Sequence, residues 1–217
     1  MSRRDPAQSR SREPLVNAPA PPAVLAGALV LLFLAQTSLA GPGVFDAFAL
    51  IPARVAAGEP WGLLTHMFLH QGWAHVTLNA LGLLAFGAAV ARLFGRGARG
   101  AVLFAGFYLL CGLVAGVGYV ALHPGGETPV VGASGAVAGL MAGASRLLEH
   151  PGRLSSFRSR QVVAMASAWL AINAIAAVFG TLPGAGGAGI AWEAHLLGYA
   201  AGLLLIGPFS RAAGVRR

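Results

Sequence analysis

The chain has 217 residues, 56% of them hydrophobic and only 10% charged, with a mean hydropathy of +0.70. A soluble domain of this length carries about 25% charged residues, so a water-soluble globular fold is excluded and the chain is expected in lipid. The formal charge of +8 would suit nucleic acid, but every positive charge is an arginine and nearly all lie between or beyond apolar runs. They read as a topology signal, with anionic lipid rather than nucleic acid as the partner.

Residues 1–21, rich in Arg, Ser and Pro, read as a disordered cytoplasmic tail. The first apolar run, roughly 22–40, ends in Ser38, Leu39 and Ala40, with small residues at the places where a signal peptidase would need them. It is long for a signal peptide and its loss would mismatch the arginines, so it is expected to stay as a span. From Gly41 to about Gln71, Phe45, Phe48, Leu50, Trp61, Leu63 and Leu64 are scattered among polar breaks, the pattern of a partly helical connection in the outer interface of the bilayer. The second run, 72–94, holds His75 and Asn79 four residues apart, hence on one helix face, with His66 and His70 upstream. The third, 101–121, carries the single cysteine, Cys111, which reads as a small core residue. After the turn-forming stretch His123–Pro129, the fourth run, 132–149, opens with Ser134 and spaces Gly132, Gly135, Gly139 and Gly143 for close helix packing. The fifth, 161–180, leads into Thr181–Gly187; residues 184–189 match G-x-G-x-x-G, but no strand precedes them as a dinucleotide site requires. The sixth, 189–207, carries His195, Gly198 and Gly202, and a short basic tail, 208–217, ends the chain.

The runs are long and rich in Ala, Leu and Gly without the alternation of a membrane barrel, so the expected fold is an all-α membrane protein of six spans over 22–207. Arginines flank the first span's start, follow the second and fourth spans, and end the chain, whereas the other connections hold only Arg54. Both termini and the second and fourth connections are therefore expected in the cytoplasm. Spans two, four and six then enter from outside, and polar residues near their starts share one depth.

Polar groups inside a span are costly and mark function by default. Three spans are read as carrying them: His75 and Asn79, Ser134, and His195. A serine hydroxyl becomes a nucleophile when a base within hydrogen-bond reach takes its proton, and histidine has the pKa range for it. Packing of the fourth and sixth spans through Gly135, Gly139, Gly198 and Gly202 would bring Ser134 to His195. The Ser134 backbone N–H, Asn79 and His75 are candidate donors to a developing oxyanion. Glu193, two residues before His195, points to another side of its helix, so a dyad rather than a triad is expected. His66, His70 and His75 lack the glutamate of H-E-x-x-H, and no metal is expected.

These residues resemble the rhomboid family. Gly132-Ala-Ser134-Gly135 is similar to its G-x-S-G nucleophile motif at the start of the fourth helix, and Ala194-His195 with Gly198 and Gly202 to the A-H-x-x-G-x-x-x-G of the sixth. Leu64–His70 followed by His75-Val-Thr-Leu-Asn79 resembles the second-helix region, whose H-x-x-x-N supplies the oxyanion pocket. The resemblance covers roughly 45–207. Two departures stand out: Gly62 follows Trp61 where the family often has arginine, and Ala138 occupies the place of an aromatic that packs on the histidine.

The resemblance implies an intramembrane serine endopeptidase, with no cofactor, that cleaves transmembrane protein substrates entering past the fifth helix. It also suggests a bacterial inner membrane, the site opening outward. The alternatives are an inactive rhomboid-like protein that binds membrane helices, and a transporter with a polar track through His75, Asn79 and His195; the apolar inner halves of spans two, four and six speak against the latter.

Overall fold

The computed structural model describes residues 19–38, 43–150, 152–180 and 189–215. The expectations for the tail before residue 19, for Leu39 and Ala40, for 181–188 and for Arg216 and Arg217 lie outside these residues. In lipid a backbone must satisfy its own N–H and C=O groups, and each apolar run duly forms a helix. The elements are α1 (Ala20–Ser38), α2 (Val44–Phe48), α3 (Pro52–Ala56), α4 (Gly62–Thr65), a 3-10 turn (His66–Phe68), α5 (Trp73–Phe94), α6 (Gly97–Leu122), α7 (Ser134–Ser145), α8 (Arg160–Phe179) and α9 (Trp192–Ala212). Among the described residues there is no strand, only a lone antiparallel bridge between Leu50 and Val130.

Four helices, α1, α5, α6 and α8, are long and apolar enough to cross a membrane. The fourth run differs from its expected extent of 132–149: it is helical only from Ser134 to Ser145. At 1.5 Å per residue that is about 18 Å, against a hydrocarbon core of about 30 Å. Gly132, at φ 121°, precedes the start, and beyond the end Arg146 Nε donates to the Ser155 carbonyl at 3.0 Å, folding the chain back. Non-helical backbone at depth is tolerated where protein covers it. α9 has the length of a span but is diluted by Glu193, His195, Tyr199 and Ser210, and it continues past the expected boundary at 207, through Pro208, to Ala212.

α7 is the centre of the bundle: ten of its twelve residues are buried, against α5, α6, α8 and α9. Missing side chains make this possible. A Cβ on Gly198 would run into the Gly135 carbonyl and one on Gly202 into the Gly139 carbonyl, so the α7 and α9 backbones touch. On the opposite flank, a Cβ on Gly135 would lie 2.7 Å from Ala115 Cβ and one on Gly139 2.5 Å from Cys111 Cβ, both on α6. α8 is the contrast, burying only Val162, Asn173 and Ala176 while Leu170, Ile175, Val178 and Phe179 stay exposed, a surface suited to lipid.

The first connection buries Ala49, Leu50, Met67 and Leu69 and exposes Phe48, Trp61 and Leu64. A Cβ on Gly62 would lie 2.5 Å from the Ala49 carbonyl oxygen, so the departure from arginine at this position matches a close backbone approach. Arg54 of α3 donates to Glu59 at 2.6 Å and to the Asp46 carbonyl at 2.7 Å, and lies 5.8 Å over the Trp61 ring.

Candidate active site

The segment leading to Ser134 is sewn to the first connection. Leu50 and Val130 exchange backbone bonds of 2.9 Å, and the Gly132 N–H donates to the His66 carbonyl at 2.8 Å. Gly132 combines a left-handed φ with a tight neighbour: a Cβ there would sit 2.5 Å from His75 Nε2. Gly132 thus packs on α5 and lies outside the α7–α9 contact expected for it, which Gly135, Gly139, Gly198 and Gly202 make. The first bond that closes α7 runs from Val137 N–H to Ala133 O at 2.9 Å, so the Ser134 N–H has no acceptor within the helix.

Ser134 Oγ lies 2.7 Å from His195 Nε2. Both side chains are half-buried and border a cavity of about 720 Å³ lined also by His75, Asn79, Gly132 and Trp169. Asn79, which lines the cavity, donates one Nδ2 hydrogen to the His75 carbonyl at 3.0 Å, and its amide carries a second. Glu193 turns away from His195 and meets His123 Nε2 at 3.1 Å, tying the start of α9 to the end of α6.

Polar residues in three spans do not exhaust the site. Asn173 of α8 places Oδ1 3.0 Å from His195 Nδ1, and its Nδ2 donates to the Trp169 carbonyl at 2.8 Å. It is 1% exposed. The signal was an amide in the middle of the fifth apolar run. The small Ala138 is buried with Met141 and Tyr199, and the aromatic neighbour of His195 comes from α8 instead: the Trp169 ring lies 5.7 Å away, tilted by 39°.

Outside the spans, burial pushes His66 down to about 4 and, with a further contribution from His75, His70 down to about 3, so both stay neutral near pH 7. His66 Nδ1 then serves the Gly62 carbonyl at 2.8 Å, bracing the turn that holds Gly132. Among the described residues no three His, Cys, Asp or Glu side chains form a metal-binding group.

Residues 57–212 match the Rhomboid domain family. Rhomboid protease GluP of Bacillus subtilis (strain 168) is 38% identical over 87 residues, 40% of this chain and 16% of that protein. The Putative rhomboid protease YdcA of the same organism is 36% identical over 86 residues, 40% of each chain. RHOMBOID-like protein 9, chloroplastic, of Arabidopsis thaliana is 49% identical over 47 residues, 22% of this chain and 11% of that protein. The matched stretches therefore span well under two thirds of these relatives.

Proposed function

The chain belongs to the rhomboid family of integral membrane proteins, and on that premise we propose that it is an intramembrane serine endopeptidase working through Ser134 and His195. The observation that carries the reading is the 2.7 Å contact between Ser134 Oγ and His195 Nε2 at the border of a cavity. Nε2 accepts the hydroxyl proton as Oγ attacks the scissile carbonyl carbon. The carbonyl oxygen gains the negative charge, within reach of the Ser134 N–H, Asn79 Nδ2 and His75. When the tetrahedral centre collapses, the C–N bond breaks and His195 returns the proton to the leaving amine. Water, deprotonated by the same nitrogen, then attacks the acyl ester and frees Ser134. No step asks for a cofactor.

The substrates are transmembrane proteins. A helical peptide bond hides its carbonyl, so the cleaved segment needs small residues or local helix instability. It enters past α8, the least buried of the four long apolar helices. α7 and α9 complete six spans, the short α7 relying on covered non-helical ends. Both termini are cytoplasmic by the arginine pattern, residues 1–21 and 208–217 flank the membrane domain, and the site opens to the outer face of a bacterial inner membrane.

The test is cleavage of a single-span substrate by detergent-solubilised protein, wild type beside Ser134→Ala and His195→Ala. Cleavage by the wild type alone is expected. Equal cutting by all three overturns the assignment. No cutting, together with no labelling of Ser134 by a fluorophosphonate in folded protein, favours the inactive helix-binding alternative.

A further inference from the structure

We propose, resting on the Ser134–His195 reading above, that Asn173 is a positioning residue that fixes the tautomer of His195. A neutral imidazole carries one N–H and one lone pair. To take the Ser134 proton, the lone pair must sit on Nε2, which puts the hydrogen on Nδ1 and gives that hydrogen need of an acceptor. Asn173 Oδ1 stands 3.0 Å from Nδ1.

A carboxamide can present either its oxygen or its NH2, and the choice is settled here by its other neighbour. Nδ2 faces the Trp169 carbonyl oxygen at 2.8 Å, a group that only accepts. Turned over, Asn173 would set two acceptors against each other at Trp169. The NH2 is therefore committed to Trp169, the oxygen is left for His195, and the imidazole answers with Nδ1–H. Nε2 is then an acceptor facing Ser134 Oγ at 2.7 Å. The Trp169 ring, one helix turn before Asn173, lies 5.7 Å from the imidazole.

The position of Asn173 argues for a task. α8 buries three residues, Val162, Asn173 and Ala176, and Asn173 is the one polar side chain among them. An amide at depth on a helix otherwise turned to lipid is costly unless its bonds are used. Both polar atoms of this amide are used, one within α8 and one on the base of α9.

The experiment compares steady-state cleavage by wild type, Asn173→Leu, which removes the acceptor at similar size, and Asn173→Asp, which keeps an oxygen there. Loss of the orienting bond is expected to lower kcat about ten- to a hundredfold in Asn173→Leu with KM within about twofold of wild type, a milder form of the loss seen when a histidine's orienting carboxylate is removed. Asn173→Asp recovers most of that loss. A residue that only pins α8 to α9 would instead give equal losses in both variants, and that outcome, or an Asn173→Leu kcat within about twofold of wild type, overturns the proposal. Should a variant not fold, the 15N-histidine spectrum of the wild type decides: with His195 identified by its absence from His195→Gln, Nδ1–H is expected and Nε2–H overturns the proposal. Ser134→Ala run in parallel separates the two levels. If it abolishes cleavage while Asn173→Leu cuts normally, the positioning role falls and the protease reading stands; if it cuts normally, the protease reading falls and the spectrum alone judges Asn173.

Discussion

At the scale of single residues, the site is assembled from polar side chains that lipid would reject anywhere else. Asn79 illustrates how its bonding defines a role: it is 4% exposed, spends one amide hydrogen on the His75 carbonyl, and borders the cavity beside Ser134. Removing a donor aimed at a developing oxyanion costs about a hundred- to a thousandfold in kcat. Asn79→Ala is therefore expected to lower kcat by that order and leave KM nearly unchanged; steady-state kinetics returning a kcat within about twofold of wild type would remove Asn79 from the oxyanion site. The pairing of Ser134 with His195 was legible because each interrupts an apolar run near the start of its helix, and the two lie 2.7 Å apart. Asn173 interrupts one as plainly, but α8 is apolar on every side, so no pattern told which way its amide faces. The bond partners of an amide are a tertiary fact. So is the place of Arg54, which only the folded loop brings over the Trp61 ring.

At the scale of elements, the Ser134–His195 distance is a property of the α7–α9 contact, because two helices whose backbones touch carry their first-turn side chains together. The glycines at four-residue spacing made that contact legible, whereas the length of α7 was not: Leu147 and Leu148 carry the apolar pattern past Arg146, residues 132–133 are as small as the helix itself, and what bounds it is a left-handed glycine and an arginine bond to Ser155. The contact gives a graded prediction. A Cβ at 202 meets the Gly139 backbone, which has no flexible end to swing aside, so Gly202→Ala must force the helices apart. Overpacking of this kind costs about 1–3 kcal/mol, and a misplacement of about 1 Å at reacting atoms costs about a hundredfold in rate. At Gly27 in the interior of α1, an added Cβ meets nothing within 4 Å. Gly27→Ala is accordingly expected to keep full activity and to gain stability by about 0.5–1 kcal/mol from the better helix former. Thermal unfolding and cleavage rates of the two variants measure this; equal behaviour would mean that α7 and α9 do not meet through their backbones.

At the scale of the whole molecule, charge and helix direction agree. Arg92 ends α5, Arg96 and Arg99 begin α6, Arg146 follows α7, Arg160 begins α8 and Arg211 lies in the last turn of α9, where Arg99 bonds to the Ala212 carbonyl. One end of the bundle is thus basic, and the other carries Arg54, paired with Glu59. By the positive-inside rule the basic end is expected on the cytoplasmic side, and on the topology proposed above Ser134 and His195 then lie toward the opposite face. The weak point in that topology is α7, whose twelve residues cannot cross as a helix alone. Glu127 and Ser156 are both exposed and flank α7 in the chain, so they report whether the segment between them crosses. With Cys111 fully buried, Glu127→Cys and Ser156→Cys are each expected to be the reactive thiol of their variant. On intact spheroplasts a membrane-impermeant maleimide should label Glu127→Cys at once and Ser156→Cys only after the membrane is opened. The reverse pattern would invert the molecule and place the site on the cytoplasmic side. Labelling of both from outside would mean that the α7 segment enters and leaves by the same face, and the even number of spans, with both termini on one side, would have to be given up.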